Sequence, residues 1–325
     1  MLTLGIETSC DETAVALIED GRVLSSEVSS SVHLHAEYGG VVPEIASRYH
    51  MEYLLAVFDK ALQDANRVPR DIDLIAVTES PGLPGALLVG MSFAKGLSFG
   101  LDVPIIKIDH VHSHIISTFI KEDRIIENIT NEFPFCALVI SGGHTSFYDV
   151  RSLTDFKVIG RTLDDAVGEA FDKVSKILGL GYPGGPVIEQ TAKKYSWGKE
   201  KINFPKAFLE KERELDFSLS GIKTAVLYYW RDAVHTEEEK QRVAFSFQSA
   251  VFDVVEAKIL KALKFTGYKT IAVGGGVINN EDLRQRIRVL CERESIKLYL
   301  PDKKYSGDNG AMVGIMGELC FVAKS

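Results

Sequence analysis

The chain has 325 residues, 46% of them hydrophobic and 25% charged, with a formal net charge of −8. That is the composition of an ordinary globular protein long enough for two domains, and its acidic balance excludes nucleic-acid binding through overall charge. The four cysteines (Cys10, Cys136, Cys291, Cys320) show no Cys-x-x-Cys spacing, so neither a disulfide frame nor a thiolate zinc site is expected, and reduced thiols in a cytoplasmic protein are.

In chain order, residues 2–9 read as an apolar strand, 14–19 as a second and 21–30 as a third, with Asp20-Gly21 as a hairpin signal. The apolar start lacks a basic segment followed by an apolar core, so no secretory signal is expected, and no apolar run of membrane-spanning length is expected anywhere. A strand at 74–78 leads into Pro81-Gly-Leu-Pro-Gly85, a helix and a further strand at 104–108. The same order then returns. Strands at 135–141, 145–150 and 156–161 precede a strand at 270–273, the Gly274-Gly-Gly276 loop, a helix and a strand at 297–300. Two such series predict a duplicated α/β domain with mixed sheets, facing one another across a cleft where glycine loops converge. The stretch of about 186–263 has no counterpart in the first half. Its Val243, Phe247, Val251, Val254, Val255 and Ile259 repeat at helical spacing, and Phe245, Phe247 and Phe252 read as core rather than a base-stacking surface. Residues 310–322 read as a closing helix.

His110 and His114 stand one helical turn apart, so both imidazoles share a face and can bind one divalent metal. The same spacing also describes two ordinary core or surface histidines. Asp109 is a fair N-cap, and the positive helix end would keep both rings neutral, as ligands must be. Asp308, ahead of the last helix, is either its N-cap or a third, oxygen ligand. Two histidines and a carboxylate leave coordination positions open, which suits iron(II) or zinc in a catalytic site. Thr8, Ser9, Asp11, Glu12 and Thr13 offer hydroxyls and carboxylates at the first hairpin, where turn-forming residues are also common. Ser141-Gly-Gly143, Gly184-Gly185 and Gly274-Gly-Gly276 are places where backbone N–H groups can approach phosphate. None fits a P-loop or a dinucleotide fingerprint. Asn280 is a cap or a ribose or base contact. Two basic runs (Lys193, Lys194, Lys199, Lys201, Lys206, Lys211, Arg213; and Arg284, Arg286, Arg288, Arg293) read as solvated faces, or as one localised basic surface if RNA is handled.

Taken together in order, Glu7-Thr-Ser-Cys-Asp-Glu-Thr13, Pro81-Gly-Leu-Pro-Gly85, His110-x-x-x-His114, Ser141-Gly-Gly-His-Thr145, Asp164-Asp-Ala-Val-Gly-Glu-Ala-Phe-Asp-Lys173, Tyr182-Pro-Gly-Gly-Pro186, Phe217-Ser-Leu-Ser-Gly-Ile-Lys-Thr224 and Asp308-Asn-Gly-Ala-Met312 resemble the tRNA threonylcarbamoyladenosine transferase family, in its bacterial branch. The resemblance implies the actin-like ATPase fold of sugar kinases and heat-shock ATPases. The first domain would be residues 1–132 joined by a C-terminal helix at 308–325, and the second residues 133–307 with the helical insertion. It implies transfer of a threonylcarbamoyl group from threonylcarbamoyl-AMP to N6 of the adenine at tRNA position 37. It assigns one divalent metal, iron(II) ahead of zinc, to His110, His114 and Asp308. Adenine-nucleotide contacts (threonylcarbamoyl-AMP, ATP or analogues) carry to Val139, Ile140, Ser141, Gly142, Gly143, Asp172, Gly185, Glu189 and Asn280. Asp11 and Glu12 carry polar or acid–base roles. Partners implied are tRNA, a paralogous actin-like dimerisation subunit, a small P-loop ATPase and the enzyme that makes the adenylate, with no membrane.

Three competing readings remain on the sequence. A phosphotransferase of the same fold would not need the histidine pair. A zinc protease would need a glutamate that His110-Val-His-Ser-His114 lacks. A non-catalytic nucleotide-binding scaffold would not need three metal ligands.

Overall fold

A three-strand antiparallel meander opens the chain: β1 (Leu2–Glu7), β2 (Glu12–Glu19) and β3 (Arg22–Ser30). Asp20 and Gly21, both at positive φ, turn β2 into β3. This computed structural model describes residues 1–195, 200–207 and 213–323. After β3 come a single helical turn, α1 (Val32–His35), and the long α2 (Pro43–Ala65). Then β4 (Leu74–Ser80) lies parallel to β1, α3 (Pro84–Leu101) follows, and β5 (Ile105–Asp109) lies parallel to β4. Next is α4 (His110–Ser117), which stops short of the helical pattern that the apolar spacing of Ile115, Ile116, Phe119 and Ile120 extends from His110. Phe119 and Ile120 leave the helix, and the chain turns into a small hairpin of β6 (Ile120–Lys121) and β7 (Arg124–Ile125), which joins the edge of the sheet beside β3. Glu122 and Asp123 make that turn at positive φ.

The second series begins with β8 (Phe135–Ile140), β9 (Thr145–Ser152) and β10 (Asp155–Arg161). Four helices follow: α5 (Val167–Leu178), α6 (Gly184–Lys193), α7 (Ser220–Asp232) and α8 (Glu237–Thr266). Then come β11 (Thr270–Gly274), α9 (Glu281–Arg293) and β12 (Lys297–Tyr299), and α10 (Gly310–Val322) closes the chain. The first sheet has the order β5-β4-β1-β2-β3-β7-β6 and the second β12-β11-β8-β9-β10. Five strands of the first therefore repeat in the order of the second. In each, the first strand of the meander pairs antiparallel with the next strand and parallel with the strand that follows the helices. Two compact units result, one of Met1–Phe133, Arg151–Asp155 and Leu300–Ser325, the other of Pro134–Val150 and Phe156–Tyr299.

In the first unit the two faces of β1 do different things, as the period-2 alternation requires. Leu2, Leu4 and Ile6 pack with Phe58 and Leu62 of α2. Gly5, on the opposite face, takes α10 directly: a Cβ there would sit 2.2 Å from the Gly310 carbonyl oxygen. Only a glycine lets the helix lie that close, and the approach sets where the residues just before α10 stand. Helix α3 overturns one expectation, since its 18 residues are long and apolar enough to cross a membrane by length and composition. Val89, Phe93 and Leu97 pack against the core of the unit, while Leu88 and Phe99 stand 66% and 93% exposed.

In the second unit, Val243, Phe247, Val251, Val255 and Ile259 are fully buried along α8, as is Phe252, while Phe245 is half-buried under the Lys201 ammonium. Several members of the basic runs are paired with acids. Lys193 meets Glu189, Lys206 meets Asp253, and Arg286 meets both Asp253 and Glu256. Arg284 is buried and donates to the Ile278 carbonyl. These four are therefore not free cations on a basic surface. Lys199 and Lys211 lie outside the described residues.

Candidate metal centre and glycine loops

Asp109 caps α4, its Oδ1 accepting from the N–H groups of Val111 (2.8 Å) and His112 (2.9 Å). His110 and His114 thus occupy the first and fifth positions of a capped helix, with ring centroids 4.7 Å apart and planes at 83°. Asp308 does not cap α10. Asn309 does, its side-chain oxygen accepting from Met312 N–H at 2.9 Å. That leaves the Asp308 carboxylate to turn toward the histidines, with Oδ1 3.1 Å from His114 Nε2 and 3.7 Å from His110 Nε2. One ligand atom from each of His110, His114 and Asp308 lies within 4.8 Å of the others. Both histidines are buried and Asp308 is half-buried, so the carboxylate stands at the open side.

Glu7, at the buried end of β1, orients the first histidine. Its Oε2 lies 3.0 Å from His110 Nδ1 and accepts from Thr78 Oγ1 at 2.6 Å, while its Oε1 accepts from Ser9 N–H at 2.5 Å. Ser9 Oγ lies 3.1 Å from the same Nδ1. A carboxylate behind Nδ1 holds a proton there and leaves Nε2 as the donor atom facing Asp308, the usual arrangement behind metal-binding histidines. The donor set therefore fits a divalent cation. His114 Nδ1 is buried without a hydrogen-bond partner among the described residues.

Charge around His110 reverses, for that ring, the expectation drawn from the helix end. Burial opposes the imidazolium, but the Glu7 and Asp308 carboxylates and the Glu7 hydrogen bond outweigh it, and His110 is pushed up to about 9. Glu7 itself, which burial alone would raise, is held below its usual range by the His110 cation. In the metal-free chain His110 therefore carries a proton that a cation would have to displace.

Asp11 and Glu12 stand on the same side of this unit, half-buried at the start of β2. Burial first, then the Asp308 and Asp11 carboxylates, push Glu12 well above the usual carboxylate range, which favours its protonated form. Ser30 Oγ donates to Glu12 Oε1 at 3.3 Å.

The nucleotide candidates all fall in the second unit, in three groups. Val139 and Ile140 are buried in β8, so only their backbone can face a ligand. The loop beyond them is drawn tight by Ser141 N–H to the His144 carbonyl at 2.7 Å and His144 N–H to Ser141 Oγ at 3.0 Å. Gly275, at φ +93°, crosses so near that a Cβ would sit 2.4 Å from the Ile140 carbonyl oxygen. A Cβ on Gly142, Gly143, Gly185 or Gly276 would point into open space, as a main-chain phosphate cradle requires. Asp172 Oδ1 accepts from Gly184 N–H at 2.6 Å and so fixes the start of α6. Asn280 is the N-cap of α9: its Oδ1 accepts from Leu283 N–H and its amide donates to Gln248 Oε1. Glu189 Oε1 accepts from Glu281 N–H at 3.0 Å and pairs with Lys193. Asn280 and Glu189 thus brace the start of α9.

The profile of the tRNA N6-adenosine threonylcarbamoyltransferase family matches residues 22–315. This chain belongs to that family. A protein of that name from Dictyoglomus turgidum is 48% identical over 98% of this chain and 92% of its own length, and one from Thermosipho africanus is 44% identical over 98% and 93%. Among solved structures, full-length HypF in its phosphate- and nucleotide-bound form superimposes with a TM-score of 0.63 at 14% identity, over all of this chain and 47% of that one. This chain thus spans about half the length of HypF. The activator of 2-hydroxyisocaproyl-CoA dehydratase from Clostridium difficile, with bound ADPNP, gives a TM-score of 0.53 at 13% identity over 100% and 97%. These likenesses establish the fold, a duplicated actin-like ATPase fold. Family membership makes the chain a transferase acting in tRNA modification.

Sequence reading did not assign a role to Glu7 or Ser9 behind His110. The available signal was a glutamate ending an apolar strand, since a carboxylate in such a place needs a cationic or hydrogen-bonding partner.

Proposed function

We propose that the chain transfers the threonylcarbamoyl group of threonylcarbamoyl-AMP to N6 of the adenine 3′ of a tRNA anticodon, using one divalent metal, iron(II) ahead of zinc, held by His110, His114 and Asp308. The observation behind this reading is the convergence of two imidazoles and one carboxylate, drawn from α4 and from the turn before α10, in a chain of this family. Two nitrogens and an oxygen with open positions suit such a cation, which when bound supplies Lewis-acid polarisation of a carbonyl.

The reaction forms the N6–carbon bond and breaks the carbon–oxygen bond to phosphate. AMP leaves with the electron pair, and the proton that N6 gives up passes to the departing phosphate or to water. The mixed anhydride is already activated, so the residues need supply no covalent nucleophile. Their task is orientation and charge. Glu7 keeps the His110 proton on Nδ1. Glu12, in its acid form, can donate a hydrogen bond, and Asp11 beside it can accept one from the incoming amine. In the second unit the N–H groups of Gly142, Gly143 and Gly185 take the AMP phosphate, with Ser141 closing the loop onto His144 and Asp172, Glu189 and Asn280 holding the helix starts beside it. The adenine must leave its stack to react. Further proposed partners in the cytoplasm are the paralogous dimerisation subunit, a small P-loop ATPase and the adenylate-forming enzyme that supplies the donor.

The test is reconstitution with tRNA, threonylcarbamoyl-AMP and those helper proteins, reading the modified nucleoside by mass spectrometry and metal by elemental analysis. The expected result is product with about one iron or zinc per chain, and loss of both after His114→Ala. Full activity in a chain with His110, His114 and Asp308 all changed to alanine refutes the reading.

A further inference from the structure

Between β1 and β2, three successive carbonyls are each held by a different element. The Ser9 oxygen accepts from Leu83 N–H at 2.8 Å, ahead of α3. The Cys10 oxygen lies 2.9 Å from His50 Nε2, on α2. The Asp11 oxygen accepts from both Ser31 N–H and Ser31 Oγ–H, each at 2.9 Å, just after β3.

Hydrogen-bond chemistry sets both imidazoles involved. Val42 N–H donates to His35 Nδ1 at 3.2 Å, so that nitrogen bears a lone pair and the ring is neutral. His35 Nε2–H must then donate to Ser31 Oγ, 3.0 Å away, whose own proton goes to the Asp11 carbonyl. His50 Nε2 faces a carbonyl and so must donate. In the neutral ring its Nδ1 accepts from Thr13 Oγ1–H at 2.7 Å. Burial lowers the proton affinity of both rings, in agreement with the neutral forms. His35, His50, Ser31 and Thr13 are all buried. An apolar residue at position 50 would pack α2 against the sheet without needing polar partners. What the histidine adds is a donor to the turn that carries two carboxylates.

We infer that His50, with His35 acting through Ser31, is a positioning residue for the transfer reaction: it holds the main chain of Cys10 and Asp11 so that the Asp11 and Glu12 carboxylates stand where the reaction uses them. This rests on the role proposed above for those carboxylates. His50 touches no reacting atom.

The experiment is steady-state transfer by the reconstituted enzyme carrying His50→Ala, His50→Gln, Thr13→Val or Thr13→Ser, with metal content and melting measured on each chain. His50→Ala and Thr13→Val lower kcat by about 100-fold, the scale of a misplacement near 1 Å, with metal content unchanged. KM for tRNA and for threonylcarbamoyl-AMP stays within about threefold, because binding elsewhere is intact. His50→Gln, whose amide can still reach the Cys10 carbonyl, and Thr13→Ser, which keeps the hydroxyl, return kcat to within about tenfold. Wild-type kcat in His50→Ala overturns the inference, as does a kcat loss matched by an equal loss of metal. If His50→Ala does not fold, the near-isosteric Thr13→Val decides in the same way. Asp11→Asn and Glu12→Gln in the same assay separate the two claims. If both keep wild-type kcat, the role of the carboxylates fails and the positioning role with it. If they are slow while His50→Ala is not, only the positioning role fails.

Discussion

The two units share one strand order, yet the loop after the first strand is built from opposite materials. In the first unit it is Thr8-Ser-Cys-Asp11, in which Ser9 Oγ reaches His110, the next residue Glu12 feels the Asp308 carboxylate, and the carbonyls are pinned from three directions. In the second it is Ser141-Gly-Gly143, with open space where side chains would be. The same topological position thus presents hydroxyls and a carboxylate, set against an imidazole of α4, in one copy and bare main chain in the other. The first suits a cation and the second an anion. The scaffold sets where a site can form, and the choice between side chain and backbone sets its chemistry.

That contrast can be sharpened by experiments of decreasing effect. The largest is pH, which should act on the first unit alone. A cation must displace the proton on His110, so metal affinity rises about tenfold per pH unit below a pKa of about 9, or roughly 100-fold from pH 6 to pH 8. Calorimetric titration in several buffers checks this through the proton released. In the metal-free chain the sign is opposite: the raised pKa contributes stability fully below the unfolded histidine value of about 6.5, and that contribution is lost as pH rises through about 9. A flat metal affinity over this range would show that His110 binds no proton there.

Next is Glu7→Gln, which removes the charge behind His110 but keeps the shape. Metal affinity falls about 10- to 100-fold, and the pH dependence of binding weakens because His110 no longer holds its proton so high. Adenine-nucleotide binding, measured by calorimetry, is unchanged. The mirror experiment is Gly143→Val in the second unit. A side chain placed in the open space over the loop weakens adenine-nucleotide binding about tenfold, with metal content at the wild-type value. An equal loss of metal and nucleotide in either variant would break the comparison. The smallest effect is Asn280→Ala, which removes the α9 cap and costs about 1 kcal/mol in chemical denaturation, with metal affinity unaltered.

Much of this was legible because local chemistry wrote it. Asp20-Gly21 marked a hairpin, the spacing of Val243, Phe247, Val251 and Ile259 marked a buried helix face, and Asp109 marked the start of α4. The end of α4 was not legible. Ile115, Ile116, Phe119 and Ile120 read as one helical stripe, but the last two are buried in a turn and a short hairpin strand. Apolar periodicity reports that a residue is inside, and here it did not report which element puts it there. The apolar length of α3 was not legible for a related reason: glycines, serines and Lys95 interrupt a stretch of 18 residues that is apolar on average.

By itself the sequence determined the repeated order of strands, loops and helices and the pairing of His110 with His114 on one helix face, since these depend on neighbours a few residues apart. Only the tertiary structure decided that Asn309 rather than Asp308 caps α10, that Gly5 admits that helix onto β1, and that Glu7 sits behind His110. Each of those outcomes joins residues from distant parts of the chain. Close approach and burial set them, and neither is a property of any short stretch of sequence.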